Sequence, residues 1–97
     1  MRHRRSKLEI YLDVLWIIKN GTKKPTRIMY GANISWKPLK KILKSLVSQE
    51  LIREVDAREN RDKRTSTYYE LTQKGDNVIR YFNRAKSLLE LREAINI

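Results

Sequence analysis

The 97-residue sequence contains no cysteine, one histidine, three glycines and two prolines. Without thiols there is no disulfide, no thiolate nucleophile and no cysteine-built zinc site. The lone imidazole, His3, lies among the basic residues that open the chain, and by itself it makes neither a metal site nor a Ser/His/Asp set. Gly21, Gly31 and Gly75 are too scattered to form a phosphate-cradling loop. Catalysis is therefore not expected, and neither is a metal, a cofactor or a small-molecule ligand. Long apolar runs are missing as well. The longest, Val14 to Ile18, falls far short of the roughly 18 residues of a membrane-spanning helix. The basic start, Met1 to Lys7, leads into a stretch broken by Glu9 and Asp13 with no small-residue cleavage site, so the expected location is cytoplasmic.

Positive charge is what the chain has in excess. Lysine and arginine number 22 against 11 acids, a formal net charge of +11, with a sequence pI of about 10.2. A chain of this length makes one domain, since single cores run to roughly 100–150 residues. Residues 1–64 hold 17 basic and 7 acidic side chains, a balance of +10, whereas residues 65–97 hold 5 and 4, a balance of +1. A surplus of this size attracts a polyanion from a distance, and nucleic acid is the first candidate.

The segment from Thr26 to Ile52 carries the strongest pattern. At about 100° per residue, Leu39, Ile42, Leu43, Leu46 and Val47 share one arc of a helix. Lys37, Lys41, Lys44 and Ser48 lie nearly opposite. Ser35 is an expected N-cap with a hydroxyl able to accept from the first turn, which places the helix start near Trp36, and Pro38 is early enough to remove no ladder hydrogen bond. Upstream, Thr26 to Ala32 gives a short helix with Ile28, Met29 and Ala32 inward, and Asn33 and Ile34 make the turn. Two helices joined this tightly are a helix-turn-helix, with the basic helix outermost.

The flanks complete the pattern. Met1 to Arg5, which includes Arg4 and Arg5, has nothing to bury and is expected to be a basic arm ending at residue 6. Ser6 and Glu9 form a capping-box signature for a helix over Lys7–Lys19, with Leu8, Tyr11, Leu12, Leu15 and Ile18 on one face. Ile10, Val14 and Ile17, with Trp16 besides, form a second apolar set that is surplus to one small core, and Asn20-Gly21 stops the helix. Lys23 and Lys24 then precede a helix N-terminus, a place suited to phosphate.

Leu51 to Val55 and Thr67 to Leu71 alternate as strands and flank a charged linker, Asp56 to Ser66, that contains Arg58, Arg61, Lys63 and Arg64. This predicts a β-hairpin wing with a basic, mobile tip. Thr72 is placed to cap a last helix over Asp76 to Ile95, with Val78, Phe82, Ala85 and Leu89 on one face. Tyr81, Leu88 and Ile95, joined by Leu91, form a separate apolar line. Such a line usually buries against a partner. The expected dimer interface comprises Tyr81, Leu88, Leu91 and Ile95 with Ile10 and Val14. The predicted class is mainly α with a small β-hairpin (α+β), in which a winged helix-turn-helix over residues 7–72 is followed by a dimerisation helix over residues 73–97.

The first-helix pattern KLEIYLDVLWII, the segment TRIMYGANISWKPLKKIL, the strand start Leu51-Ile52 and LTQKG at Leu71 to Gly75 occur in an order that resembles a known family. It is that of the small basic archaeal winged-helix proteins, including the Sulfolobus chromatin-associated proteins of about ten kilodaltons. The similarity runs from Lys7 to about Leu91. It implies a homodimer joined by C-terminal helices in an antiparallel coiled coil, with two winged helices presented to double-stranded DNA. Lys37, Lys40, Lys41 and Lys44 would then lie on the recognition helix, with Asp56 to Ser66 as the wing. Ser35, Trp36 and Arg27 are further expected DNA contacts. Gly31 stands where a helix-favouring residue is expected, and the wing is longer and more charged than a minimal one.

Three functions fit this pattern. An architectural chromatin protein or broad regulator would bind through the phosphate backbone. A sequence-specific repressor or activator would use the same surface, but Ser35 to Gln49 contains no arginine, the commonest guanine reader. A module docking protein or RNA would have a less basic recognition helix.

Overall fold

The computed structural model describes residues 5–56 and 67–89. Within them the order is α1 (Lys7–Lys19), α2 (Pro25–Ala32), α3 (Trp36–Ser48), β1 (Ile52–Asp56), β2 (Thr67–Leu71) and α4 (Gln73–Leu89). The strands pair antiparallel, from Ile52 opposite Leu71 to Asp56 opposite Thr67.

Local chemistry sets most of the boundaries. The Ser6 hydroxyl accepts from the Glu9 N–H at 3.1 Å while the Glu9 carboxylate accepts from the Ser6 N–H at 2.7 Å, so the capping box forms in full. Pro25 opens α2, and Asn33 ends it in the left-handed region at φ 56°, which asparagine tolerates. The last helix starts three residues before the expected Asp76. The Thr72 hydroxyl accepts from the Gly75 N–H at 3.0 Å and points at the carbonyls of Glu50 and Leu51, at 2.6 and 3.0 Å, so the cap acts on the turn immediately after it. The first strand starts one residue late because Leu51 is spent on the connection: its N–H donates to Leu46 and its carbonyl accepts from Thr72.

The core joins Val14, Leu15 and Ile18 of α1 to Ile28 and Ala32 of α2. To these it adds Leu39, Ile42, Leu43 and Leu46 of α3, the hairpin residues Ile52 and Tyr69, and Ile79 of α4. This corrects the assignment of Val14 to a dimer interface, since Val14 is fully buried inside the protomer. It also corrects the inward face of α1, where Leu8 is exposed and Val14 is central. The helix is apolar on several sides, and α2, α4 and β2 all pack on it, with Val14, Leu15 and Ile18 as its buried residues. On α4, Val78, Phe82 and Ala85 are partly buried as expected, but Ile79 is the buried contact and Leu89 is exposed.

Gly31 lets two helices approach closely. A β-carbon there would lie 3.3 Å from the Ile17 side chain, so the residue least expected in α2 stands in close contact with α1. The chain from α1 to α2 also touches the hairpin, where the Tyr69 N–H donates to the Lys23 carbonyl at 3.0 Å.

Candidate nucleic-acid interface

The buried stripe of α3 turns its opposite side outward, and Lys37, Lys40, Lys41 and Lys44 are all exposed there. None of the four forms an ion pair among the described residues. The reason is compositional, because residues 14–49 contain no acid while holding Lys19, Lys23, Lys24, Arg27 and these four lysines. No carboxylate on α2, α3 or the turn between them is available to neutralise the face. Several acids of the described residues are engaged elsewhere, Asp13 with Arg5, Glu70 with Arg53, and Asp76 with Lys19 and Arg80, while Glu54 lies beside Lys40 and Lys44 in the groove next to α3.

Ser35 is the N-cap of α3 by position, with φ −78° and ψ 166°, but its hydroxyl accepts no capping hydrogen bond. Trp36, Lys37 and Pro38 are the first three helical residues, and an N-cap oxygen bonds the second or third N–H. Proline has no N–H to offer, so the expected cap loses one of its two targets. The first turn of α3 therefore keeps unsatisfied donors beside Lys37 at the positive end of the helix dipole, an arrangement that favours phosphate.

Around α3 the surface is shaped. A groove between α3 and the hairpin is lined by Lys40, Leu43, Lys44, Val47, Glu54 and Tyr69. The Tyr69 hydroxyl donates to the Glu54 carboxylate at 3.2 Å; its burial, with the adjacent negative charge of Glu54, raises the phenol above its usual value and keeps it protonated. At the start of α2, Thr22, Lys24, Thr26, Arg27 and Tyr30 line a second depression, so Arg27 is exposed as expected. A third lies at the turn, lined by Met29, Tyr30, Asn33, Ile34, Ser35 and Trp36. Tyr30 is not among the residues expected at the interface, yet it is 74% exposed between these two depressions. The signal that points to it is the acid-free segment around it.

Arg5 is a correction. Instead of belonging to a free basic arm, it pairs with Asp13 at 2.8 Å and donates to the carbonyls of Ala32 at 2.7 Å and Asn33 at 3.3 Å. Its guanidinium thus ties α1 to the C-terminus of α2, where free carbonyls favour a cation. Arg4 lies outside the described residues, as do Arg58, Arg61, Lys63 and Arg64 of the expected wing and Leu91 and Ile95 of the expected interface. Of the remaining apolar line, Tyr81 is 73% and Leu88 71% exposed on α4, and Ile10 is partly buried against the protomer's own core. Among the described residues no group of three His, Cys, Asp or Glu side chains is placed to hold a metal, and no helix is long and apolar enough to cross a membrane.

A tight helix pair, an exposed second helix and a following antiparallel hairpin define a winged helix-turn-helix. The chain belongs to the winged helix-turn-helix family, whose model matches residues 4–90. It is similar to the uncharacterized protein MJ0287 of the archaeon Methanocaldococcus jannaschii, with 35% identity over 95 residues, 98% of this chain and 81% of that protein. In fold it resembles Sso10a-2, a DNA-binding protein from Sulfolobus solfataricus, at TM-score 0.64 and 23% identity over 95% of this chain and 94% of that one. It also resembles ZitR of Lactococcus lactis, a zinc-responsive MarR family member, at TM-score 0.68 and 22% identity over 97% of this chain. A structure of ZitR in complex with DNA matches at TM-score 0.60 and 26% identity over 97% of this chain. The chain spans less than two thirds of ZitR, 63% in the first of these structures and 64% in the second. The expected likeness to an archaeal winged-helix protein is thus borne out in fold.

Proposed function

We propose that the chain binds double-stranded DNA through α3 and its flanks, as an architectural chromatin protein or a broad regulator associated with the nucleoid. One observation carries this reading: four lysines on the outer face of α3, without ion pairs among the described residues, within a segment that has no acid. Each is free to neutralise a phosphate and release counterions, which supplies affinity without regard to sequence. The fold likeness to Sso10a-2 and to ZitR, which has been captured on DNA, supports the same reading. Arg27 and Lys24 at the start of α2 extend the basic surface. The basic residues Arg58, Arg61, Lys63 and Arg64 of the expected wing and Arg4 of the arm add further positive charge in this proposal.

The protein works here as a homodimer through α4, because Tyr81 and Leu88 face solvent in the protomer while Trp16 and Phe82 line a groove between α1 and α4. The deciding experiment is a gel-shift titration on random and genomic duplexes at several salt concentrations. A steep salt dependence with a small specificity ratio supports backbone binding. A large ratio favours the sequence-specific regulator, and no binding to any duplex refutes the proposal.

A further inference from the structure

The depression at the turn combines features that a phosphate-binding surface does not need. Trp36, the first residue of α3, is 47% exposed, and Tyr30 is 74% exposed. Met29 and Ile34, both partly buried against the core, lie with them in the same depression. Lys37 follows Trp36 directly, and no acid occurs nearby in the chain. Large exposed aromatics beside an apolar floor mark a contact surface, and the surrounding positive charge selects an anionic partner. The residues that reach base edges from a recognition helix are its N-terminal ones, and Trp36 is the first of them.

We infer that this depression receives the 5-methyl group of thymine in the major groove, making Tyr30, Trp36, Met29 and Ile34 determinants of preference for A·T pairs. The inference rests on the proposed binding to duplex DNA and names the group that α3 reads. The thymine methyl is the one apolar feature of the major-groove edge. The rest of the helix offers little else to discriminate with: Trp36–Ser48 contains no arginine, asparagine or glutamine, the usual bidentate readers of guanine and adenine. Lysine and serine pair with several bases and with phosphate alike. Asn33 and Ser35 also line the depression and hydrogen-bond thymine and deoxyuridine duplexes alike, so only its apolar part, Met29, Tyr30, Ile34 and Trp36, responds to whether a methyl is present.

The test replaces thymine with deoxyuridine, which removes the methyl and keeps the base-pairing edge. The full chain is titrated, at fixed salt, against a fluorescent duplex rich in A·T pairs and against its deoxyuridine counterpart. The wild type is expected to bind the deoxyuridine duplex about fourfold more weakly for each methyl buried, the equivalent of about 0.8 kcal/mol. Trp36→Ala and Tyr30→Ala are expected to bind both duplexes at the lower affinity, with the difference between them reduced or gone. Equal wild-type affinity for the two duplexes overturns the inference and leaves DNA binding standing. Failure to bind either duplex removes both. The wild-type comparison decides the matter without relying on any variant, and far-ultraviolet circular dichroism checks that the variants are folded.

Discussion

The α-carbon of Gly75 faces the carbonyl of Leu51 so closely that a β-carbon there would lie 2.2 Å from that oxygen and 2.8 Å from a Leu71 methyl. The oxygen has no freedom to move away, since it already accepts from the Thr72 N–H at 3.1 Å and the Thr72 hydroxyl at 3.0 Å. Gly75 is what allows α4 to pack on the junction between α3 and the hairpin. Gly75→Ala is expected to destabilise the fold by about 1–3 kcal/mol, the range of overpacked cores. Gly31→Ala meets only a movable Ile17 side chain at 3.3 Å and gains up to about 1 kcal/mol of helix propensity, so it should be close to neutral. Urea denaturation of both variants checks the contrast.

Arg5 and Asp13 form a brace rather than part of a binding arm. A charged hydrogen bond is worth roughly 1.5–3 kcal/mol, but partial exposure of both side chains reduces this to about 1 kcal/mol. Arg5→Ala should lower stability by that amount and leave the salt slope of DNA binding unchanged. A double-mutant cycle with Asp13→Ala should show coupling. A reduced salt slope would return Arg5 to the DNA surface.

The acid side of the stability profile should depend on Asp76. Its hydrogen bond from Lys19, followed by the charges of Lys19 and Arg80, lowers its carboxyl below the ordinary value of 3.8. A lowered folded-state value means stability that is present above the ordinary carboxylate range and lost as pH falls through the folded value. Asp76→Asn should therefore be less stable than wild type at neutral pH, with the gap closing below about pH 4. Thermal unfolding from pH 2 to 7 follows this directly; a gap that stays constant would contradict the linkage.

Each of Lys37, Lys41 and Lys44, changed to alanine, should weaken binding to all duplexes similarly and lower the salt slope by about 0.9 for each phosphate that the lysine neutralises. Their exposure and lack of ion pairs among the described residues mean that stability should hardly change. Weaker binding to one sequence only would mark that lysine as a base reader.

Leu88→Asp should convert the proposed dimer to monomer, because Leu88 is 71% exposed in the protomer and a carboxylate buried in a helix seam costs several kcal/mol. Light scattering at matched concentrations distinguishes the two. The protomer's own stability should be unaffected, since Leu88 is not part of its core.

The sequence by itself determined the order of elements, most of their ends and the basic face of α3. These follow from interactions spanning a few residues: Ser6 with Glu9, Pro25 at a helix start, Asn33 in a left-handed turn, Thr72 as a cap, and a repeat that sorts Leu39, Ile42, Leu43 and Leu46 from the lysines. Tertiary structure alone decided which of several apolar sides of α1 is buried, because that depends on where α2, α4 and the hairpin settle; Val14 and Leu8 exchanged roles for this reason. It also decided the partners of Arg5, which are 8, 27 and 28 residues away, since an arginine destined for a brace has the same local pattern as one in a solvated arm. The left-handed Glu50 at φ 63° gives no local sign either, being neither glycine nor asparagine. Its conformation goes with the interactions of the folded junction, where its carbonyl accepts from the Thr72 hydroxyl across 22 residues.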